Sequence, residues 1–266
     1  MPQPSTGYTV GFAAALCFVA SVAVSGAAVV LKEKQEINKV LDRQEKVLGV
    51  AGLMEKGEKL SPDEIQSRFT ENITPLLVAL DSGDVVEAAS NGQSAAEYDQ
   101  LKATKDPELS IATPDNKAKV PRMAKLATVY CVKTADAGCD QHILPIEGKG
   151  LWSTMYGFLS VDSDANTIRG ITFYQHGETP GLGGEIDNAN WQSKWVGRKV
   201  YDDAGAVKIH VKKGVAGDAK SDPYAVDGLS GATLTSNGVT YSIDLWLGEQ
   251  GFEGYLNNVK SGKVKG

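Results

Sequence analysis

Asp227-Gly-Leu-Ser-Gly-Ala-Thr-Leu-Thr-Ser-Asn-Gly238 gathers four hydroxyl side chains just ahead of a segment in which Val239, Ile243, Trp246 and Leu247 recur at helical spacing. A small polar residue before an apolar-periodic run marks a helix start, and a glycine after it marks the stop. Ser236 therefore reads as the N-cap of a helix that Gly248 ends. The loop brings Ser230, Thr233 and Thr235 to the positive end of that helix, while Gly231 and Ala232 leave room for close approach. Free N–H groups and the helix dipole favour an anion at such a place, and phosphate suits it. A serine- and threonine-rich turn that only caps a helix has the same composition.

Upstream, residues 127–132, 151–161, 168–174 and 207–211 read as strands separated by Gly, Asp and Asn turns. Helical patterns before, between and after them predict an α+β domain on an antiparallel or mixed sheet with flanking helices, not a repeating βαβ unit. Between two of these strands lies His176-Gly-Glu-Thr-Pro-Gly-Leu-Gly-Gly184, a loop whose four glycines let backbone approach a planar ligand. Gly181 and Gly183 fall short of a dinucleotide fingerprint, because Pro180 intervenes and no long helical pattern follows. Trp152 offers a flat ring suited either to stacking on such a ligand or to the core. Trp191 and Trp195, with Lys194 and Arg198, read as a surface or subunit-facing segment.

At the other end, residues 8–31 carry no charge and, at about 1.5 Å per residue, can cross a bilayer core of about 30 Å. The leader, residues 1–7, has no Lys or Arg, and the apolar run exceeds a signal-peptide core, so a permanent transmembrane helix is expected. Residues 32–56 continue as a stalk helix with Ile37, Val40, Leu41 and Leu48 along one side, closed by Gly57. Ser61-Pro-Asp-Glu64 is a capping box that opens a helix through Ile65, Phe69 and Ile73 toward Leu77. Residues 57–145 are expected to form a helical and irregular subdomain packing on the sheet, with no chemistry assignable over 81–122. Lys260, Lys263 and Lys265 read as a frayed, solvated end.

A length of 266 residues with 42% hydrophobic content suits one span and one substantial domain. A net charge of −6 without a basic stripe argues against nucleic acid as a partner. Cys17 lies in the span; Cys131 and Cys139 are compatible with a bridge, if the domain is exported, or with two reduced thiols. No Cys/His spacing fits zinc, haem or an iron–sulfur centre, so no metal site is read, and His142, His176 and His210 are taken as structural.

Asp227-Gly-Leu-Ser-Gly-Ala-Thr233 resembles the flavinylation motif of the FMN-binding domain family, and Glu178-Thr-Pro-Gly-Leu-Gly183 matches a segment lining the flavin in that family. With its anchor, length and order of parts, the chain resembles the C-subunit family of sodium-translocating NADH:quinone oxidoreductases; the G subunits of Rnf electron-transfer complexes are close relatives. The resemblance makes residues 146–262 an FMN-binding domain and implies one FMN per chain, joined by a phosphoester to Thr233. It implies a cofactor site formed by Trp152, Glu178, Thr179, Leu182, Gly183, Ser230, Gly231, Ala232, Leu234 and Thr235, with Glu178 and Thr179 reaching ring or ribityl atoms. A flavin transferase would attach the group, recognising Asp227, Gly228, Ser230, Gly231 and Ala232. No residue is assigned a catalytic role, since the flavin carries the chemistry.

The function implied is an electron-transfer subunit of a sodium-pumping NADH:ubiquinone oxidoreductase, with little activity alone. Its partners would be other membrane subunits, the flavin transferase and membrane lipid. The alternatives are the equivalent subunit of an Rnf-type complex and a membrane-tethered binding module without redox activity. The place implied is the bacterial inner membrane, single-pass, with the large domain periplasmic. Charge bias points the other way: Lys32, Lys34, Lys39 and Arg43 follow the span and nothing basic precedes it.

Overall fold

The computed structural model describes residues 5–55, 57–134 and 138–264. The chain divides into two compact units, Met1–Arg43 and Gln44–Gly266. The first belongs to helix α1 (Thr6–Val50), which by length and composition can cross a membrane. The helix starts inside the expected leader, whose residues 1–4 lie outside the described ones, and no break separates span from stalk. Its end falls at Val50, short of the expected boundary at 56: Gly52, at φ +74°, lets Leu53 N–H turn back to Leu48 O at 3.0 Å. Gly57 is thus not the terminator.

The second unit holds α2 (Pro62–Asn72), β1 (Ile73–Ala79), β2 (Val85–Val86), α3 (Gln100–Ala103), β3 (Ser110–Ala112), β4 (Arg122–Ala124), β5 (Leu126–Lys133), β6 (Cys139–Lys149), β7 (Thr154–Asp162) and β8 (Ile168–Gln175). Then follow α4 (Ala189–Gln192), β9 (His210–Lys212), β10 (Ala225–Asp227), α5 (Thr233–Leu247) and α6 (Glu253–Lys260). Six strands form one antiparallel sheet in the order β2-β1-β5-β6-β7-β8. Alternation along the strands gives each face a cover. Leu144 and Ile146 of β6, Leu159 and Val161 of β7, and Ile171 and Phe173 of β8 share the main core with Val239, Ile243 and Trp246 of α5 and Tyr255 of α6. On the reverse face Phe69 of α2 meets Tyr130 edge-on at 5.8 Å, and Gln141 donates to Ala51 O at 3.1 Å.

Several boundaries depart from the sequence reading for identifiable reasons. The capping box forms, with Ser61 N–H on the Glu64 carboxylate at 2.8 Å, but α2 stops at Asn72 rather than running through Ile73 toward Leu77. Pro75 disfavours helix in the residue before it, and Ile73 pairs with Val132 instead. The division expected at 145/146 runs through the middle of β6, so residues 57–145 supply strands of the same sheet and not a separate subdomain. Pro145 hides β6 in the sequence; it is tolerated because the β5–β6 pairs stop at Tyr130↔Ile143. Residues 81–122 contribute β2, α3 and β3, and Val86, Leu109 and Ile111 among them line an apolar cavity of about 700 Å³ together with Met123 and Leu126.

Cys131 and Cys139 are joined by a disulfide across the β5–β6 hairpin. The C-terminus is not frayed over its described part: Lys260 lies over the Tyr201 ring at 4.3 Å and Lys263 pairs with Asp84 at 2.6 Å. Lys265 is outside the described residues.

Candidate functional site

Helix α5 begins at Thr233, three residues before the expected cap. Gly231, at φ +71°, turns the loop, and Ala232 N–H closes it on Leu229 O at 3.2 Å, so helical geometry is already in place at Thr233. Ser236 is buried inside the first turn, where its Oγ accepts from Leu229 N–H at 3.1 Å. The residue in the cap position is Ala232, which has no side-chain acceptor, so no side chain among the described residues caps the first-turn amides. Thr233 is exposed at this uncapped end, as are Ser230 and Gly231, while Thr235 is 1% exposed and Ala232 is buried.

The glycine-rich loop after β8 comes to the same place. Gly181, at φ +76°, reverses the chain, and Thr179 O accepts from Leu182 and Gly184 N–H at 3.1 and 2.9 Å. A Cβ on Gly231 would sit 2.9 Å from Leu182 Cδ2, so this loop lies directly against the one before α5. Thr179 and Leu182 are exposed; Gly183 and Glu178 are buried. The Glu178 carboxylate accepts from Trp152 N–H at 2.9 Å, Leu151 N–H at 3.1 Å, Ser153 N–H at 3.3 Å and the Thr235 hydroxyl. Burial works to raise its pKa, but these hydrogen bonds outweigh burial and hold it below the usual carboxylate value. His176 braces the loop base, its Nδ1 accepting from Glu178 N–H at 3.1 Å and its Nε2 facing Asp187 at 2.7 Å.

A third segment comes with Glu178. β7 starts at Thr154, so residues 151–153 are a turn and not strand. Trp152 is 66% exposed, which removes the core-packing reading of its ring. Trp152, Leu151, Leu182 and Leu234 are all large, apolar and exposed around these three segments.

Beneath them lies a support that sequence reasoning placed on the surface. Trp191 and Trp195 are buried, edge to face at 5.6 Å, and Trp191 Nε1 donates to Asp227 O at 2.8 Å. Lys194 pairs with the Asp227 carboxylate, which also accepts from Ala216 N–H at 2.9 Å. Although burial opposes it, this pairing keeps the Asp227 carboxyl below its ordinary range. Arg198 is 4% exposed and donates to the carbonyls of Lys194, Gly217 and Asp222. The signal for this support was present as four tryptophan and cationic residues in eight positions; only burial reveals its role. Of the residues expected to meet a transferase, Asp227 is thus engaged from within, a Cβ on Gly228 would strike Lys212 O at 2.4 Å, and Ser230 and Gly231 are open.

An uncapped helix start beside an exposed hydroxyl, next to an apolar shelf, suits a ligand with a phosphate at one end and a flat apolar ring system at the other. The FMN-binding domain family model matches residues 150–248, which span all three segments. The chain is 45% identical over 263 residues to the C subunit of the Na(+)-translocating NADH-quinone reductase of Yersinia pestis, covering 98% of this chain and 96% of that one. It is 46% identical over 265 residues to the corresponding subunit of Pseudomonas aeruginosa, covering 98% and 99%. The crystal structure of Shewanella oneidensis NqrC superposes with a TM-score of 0.74 at 32% identity, over 86% of this chain and 99% of that one. The C subunit of the Parabacteroides distasonis reductase gives 0.63 at 29% identity, over 85% and 96%.

Fold and site together define a protein with a long apolar N-terminal helix followed by a domain of the FMN-binding class. More narrowly, near-full-length identity of this size places it: the chain belongs to the C-subunit family of Na(+)-translocating NADH-quinone reductases.

Proposed function

We propose that Thr233 carries FMN through a phosphoester bond, in a chain that acts as an electron-transfer subunit of a sodium-translocating NADH-quinone reductase, an oxidoreductase complex. The observation that carries the attachment site is the start of α5: of the four hydroxyls in the loop, Thr235 and Ser236 are buried and hydrogen-bonded, whereas Thr233 is exposed at the uncapped first helical position. A phosphate on its Oγ1 would face the free first-turn amides and the positive end of the dipole. Ser230 is also exposed, but it lies on the far side of the Gly231 turn. Attachment by a flavin transferase forms the Oγ1–P bond of Thr233 as the pyrophosphate of FAD breaks and AMP leaves.

FMN, when bound, supplies reversible one- and two-electron chemistry. The protein binds and orients it. Leu182, Leu151, Trp152 and Leu234 offer the apolar contacts, Thr179 a hydroxyl, and the backbone of Gly231 a close approach. Electron donors and acceptors belong to the other subunits of the complex, so the isolated chain turns over little.

The helix Thr6–Val50 anchors the chain in the inner membrane, in contact with lipid. The large domain is periplasmic on this reading. The Cys131–Cys139 disulfide supports that side, because the periplasm oxidises such pairs and the cytoplasm keeps them reduced. Charge bias is a weak opponent, since large domains translocate largely regardless of it.

Thr233→Ala, expressed in cells with the transferase, tests the attachment. The variant is expected to fold, to show no flavin fluorescence on a denaturing gel and to be lighter by one FMN adduct in intact mass. Retention of the adduct, or its loss in Ser230→Ala alone, would move the anchor elsewhere.

A further inference from the structure

Glu178 occupies a place where its charge has no obvious purpose. The residue is 5% exposed, and the groups that meet its oxygens are backbone amides and a hydroxyl, with no lysine or arginine among the described residues bonded to it. Oε1 accepts from Trp152 and Ser153 N–H, and Oε2 from Leu151 N–H and Thr235 Oγ1. A carboxylate has roughly four lone-pair sites, so these four donors leave none for ring or ribityl atoms. The donors come from sequence positions 25 to 57 residues away, on the turn before β7 and the first turn of α5. Backbone closes in on the group as well: a Cβ on Gly150 would fall 2.6 Å from Oε1, and one on Gly183 2.8 Å from Oε2.

Only an acceptor-only group satisfies three converging N–H donors and a hydroxyl. An amide of the same shape would turn an NH₂ toward some of them and leave buried donors unpaired. The segments joined in this way are those that bear the exposed groups: Leu151 and Trp152 on the turn, Leu182 on the loop, and Thr233 and Leu234 at the start of α5.

We propose that Glu178 is the positioning residue of the flavin site, its carboxylate locking the 151–153 turn, the 178–183 loop and the first turn of α5 into one shelf that gives the tethered FMN a single pose. The proposal rests on the reading of Thr233 as the anchor. A phosphoester at one atom leaves the ribityl chain free to rotate, so the pose of the ring comes from walls held rigid by their own supports. Glu178 contributes by holding those walls, not by touching the ring.

The test uses the full-length chain in detergent, as parent and Glu178→Gln, each with and without Thr233→Ala. Without flavin, amide hydrogen exchange at 151–153 and in the first turn of α5 is expected to rise about tenfold or more in Glu178→Gln, with β5 and β6 unchanged. With flavin, the adduct mass persists while flavin fluorescence anisotropy falls and the midpoint potential moves. Unchanged exchange would overturn the proposal, and so would raised exchange with an unaltered anisotropy and potential, which would make Glu178 a structural residue only. Thr235→Val, which removes one of the four donors, is expected to give smaller shifts of the same sign and serves if Glu178→Gln fails to fold. Absence of the adduct from the parent chain would instead remove the reading of Thr233, and the exchange measurement would still decide whether the clamp exists.

Discussion

Two carboxyls of the domain are pushed in opposite directions by their surroundings. Burial raises Glu147 on β6, opposite Tyr156 of β7, from its ordinary 4.5 to about 7, whereas hydrogen bonds hold Glu178 below that ordinary value. For Glu147 the folded chain binds the proton more tightly than the unfolded one. Its contribution is therefore complete below pH 4.5 and is lost as pH rises toward 7. Glu147→Gln is expected to raise stability at pH 8 relative to the parent and to leave it nearly unchanged at pH 4.5. Urea midpoints at both values check this, and parallel pH dependence in the two chains would refute it. Glu178 works in the other sense, losing its contribution as pH falls through its lowered pKa. Residue types in the 178–183 loop pointed to a ligand site, but the sequence could not show that Gly183 makes room for Glu178, since that contact needs Thr235 of α5 as well.

At the scale of elements, the β5–β6 hairpin and the start of α5 matter most. The Cys131–Cys139 bridge closes a short loop, with a sequence separation of 8. Chain-entropy reasoning assigns such a closure about 2–3 kcal/mol, so dithiothreitol is expected to lower the urea midpoint of the domain accordingly. In intact cells a membrane-permeant maleimide should label Cys17 at most; labelling of Cys131 and Cys139 would show reduced thiols and argue for the cytoplasmic side. Helix α5 was visible from the apolar period that starts at Val239, yet its first turn, Thr233 to Ser236, carries no such period. That turn is fixed by Gly231 and by Ser236 reaching Leu229, contacts made by the loop folding back on the helix.

For the whole molecule, the division after Arg43 makes a physical statement about where the domain begins. Val47 and Leu48 are 0% exposed and Val50 is 8% exposed, and Ala51 O receives Gln141. A chain starting at Gln44 should remain folded and water-soluble. One starting at Gly52 loses buried Ala51 as well as Val47, Leu48 and Val50, the last three worth about 1.5–3 kcal/mol each, and should be largely unfolded. Circular dichroism and urea melts of the two chains distinguish these outcomes, and equal stability would show that the end of α1 is dispensable. The sequence by itself determined the apolar span, the Ser61 capping box and the α+β character, because each is carried by neighbours in the chain acting through local geometry or side-chain chemistry. Only the tertiary structure decided that residues 73–79 and 139–149 join the sheet, that Trp191, Trp195 and Arg198 lie beneath the site, and that Glu178 ties it together. Those facts depend on strand partners and hydrogen bonds tens of residues apart, whose formation is set by which surfaces bury each other and not by any local pattern.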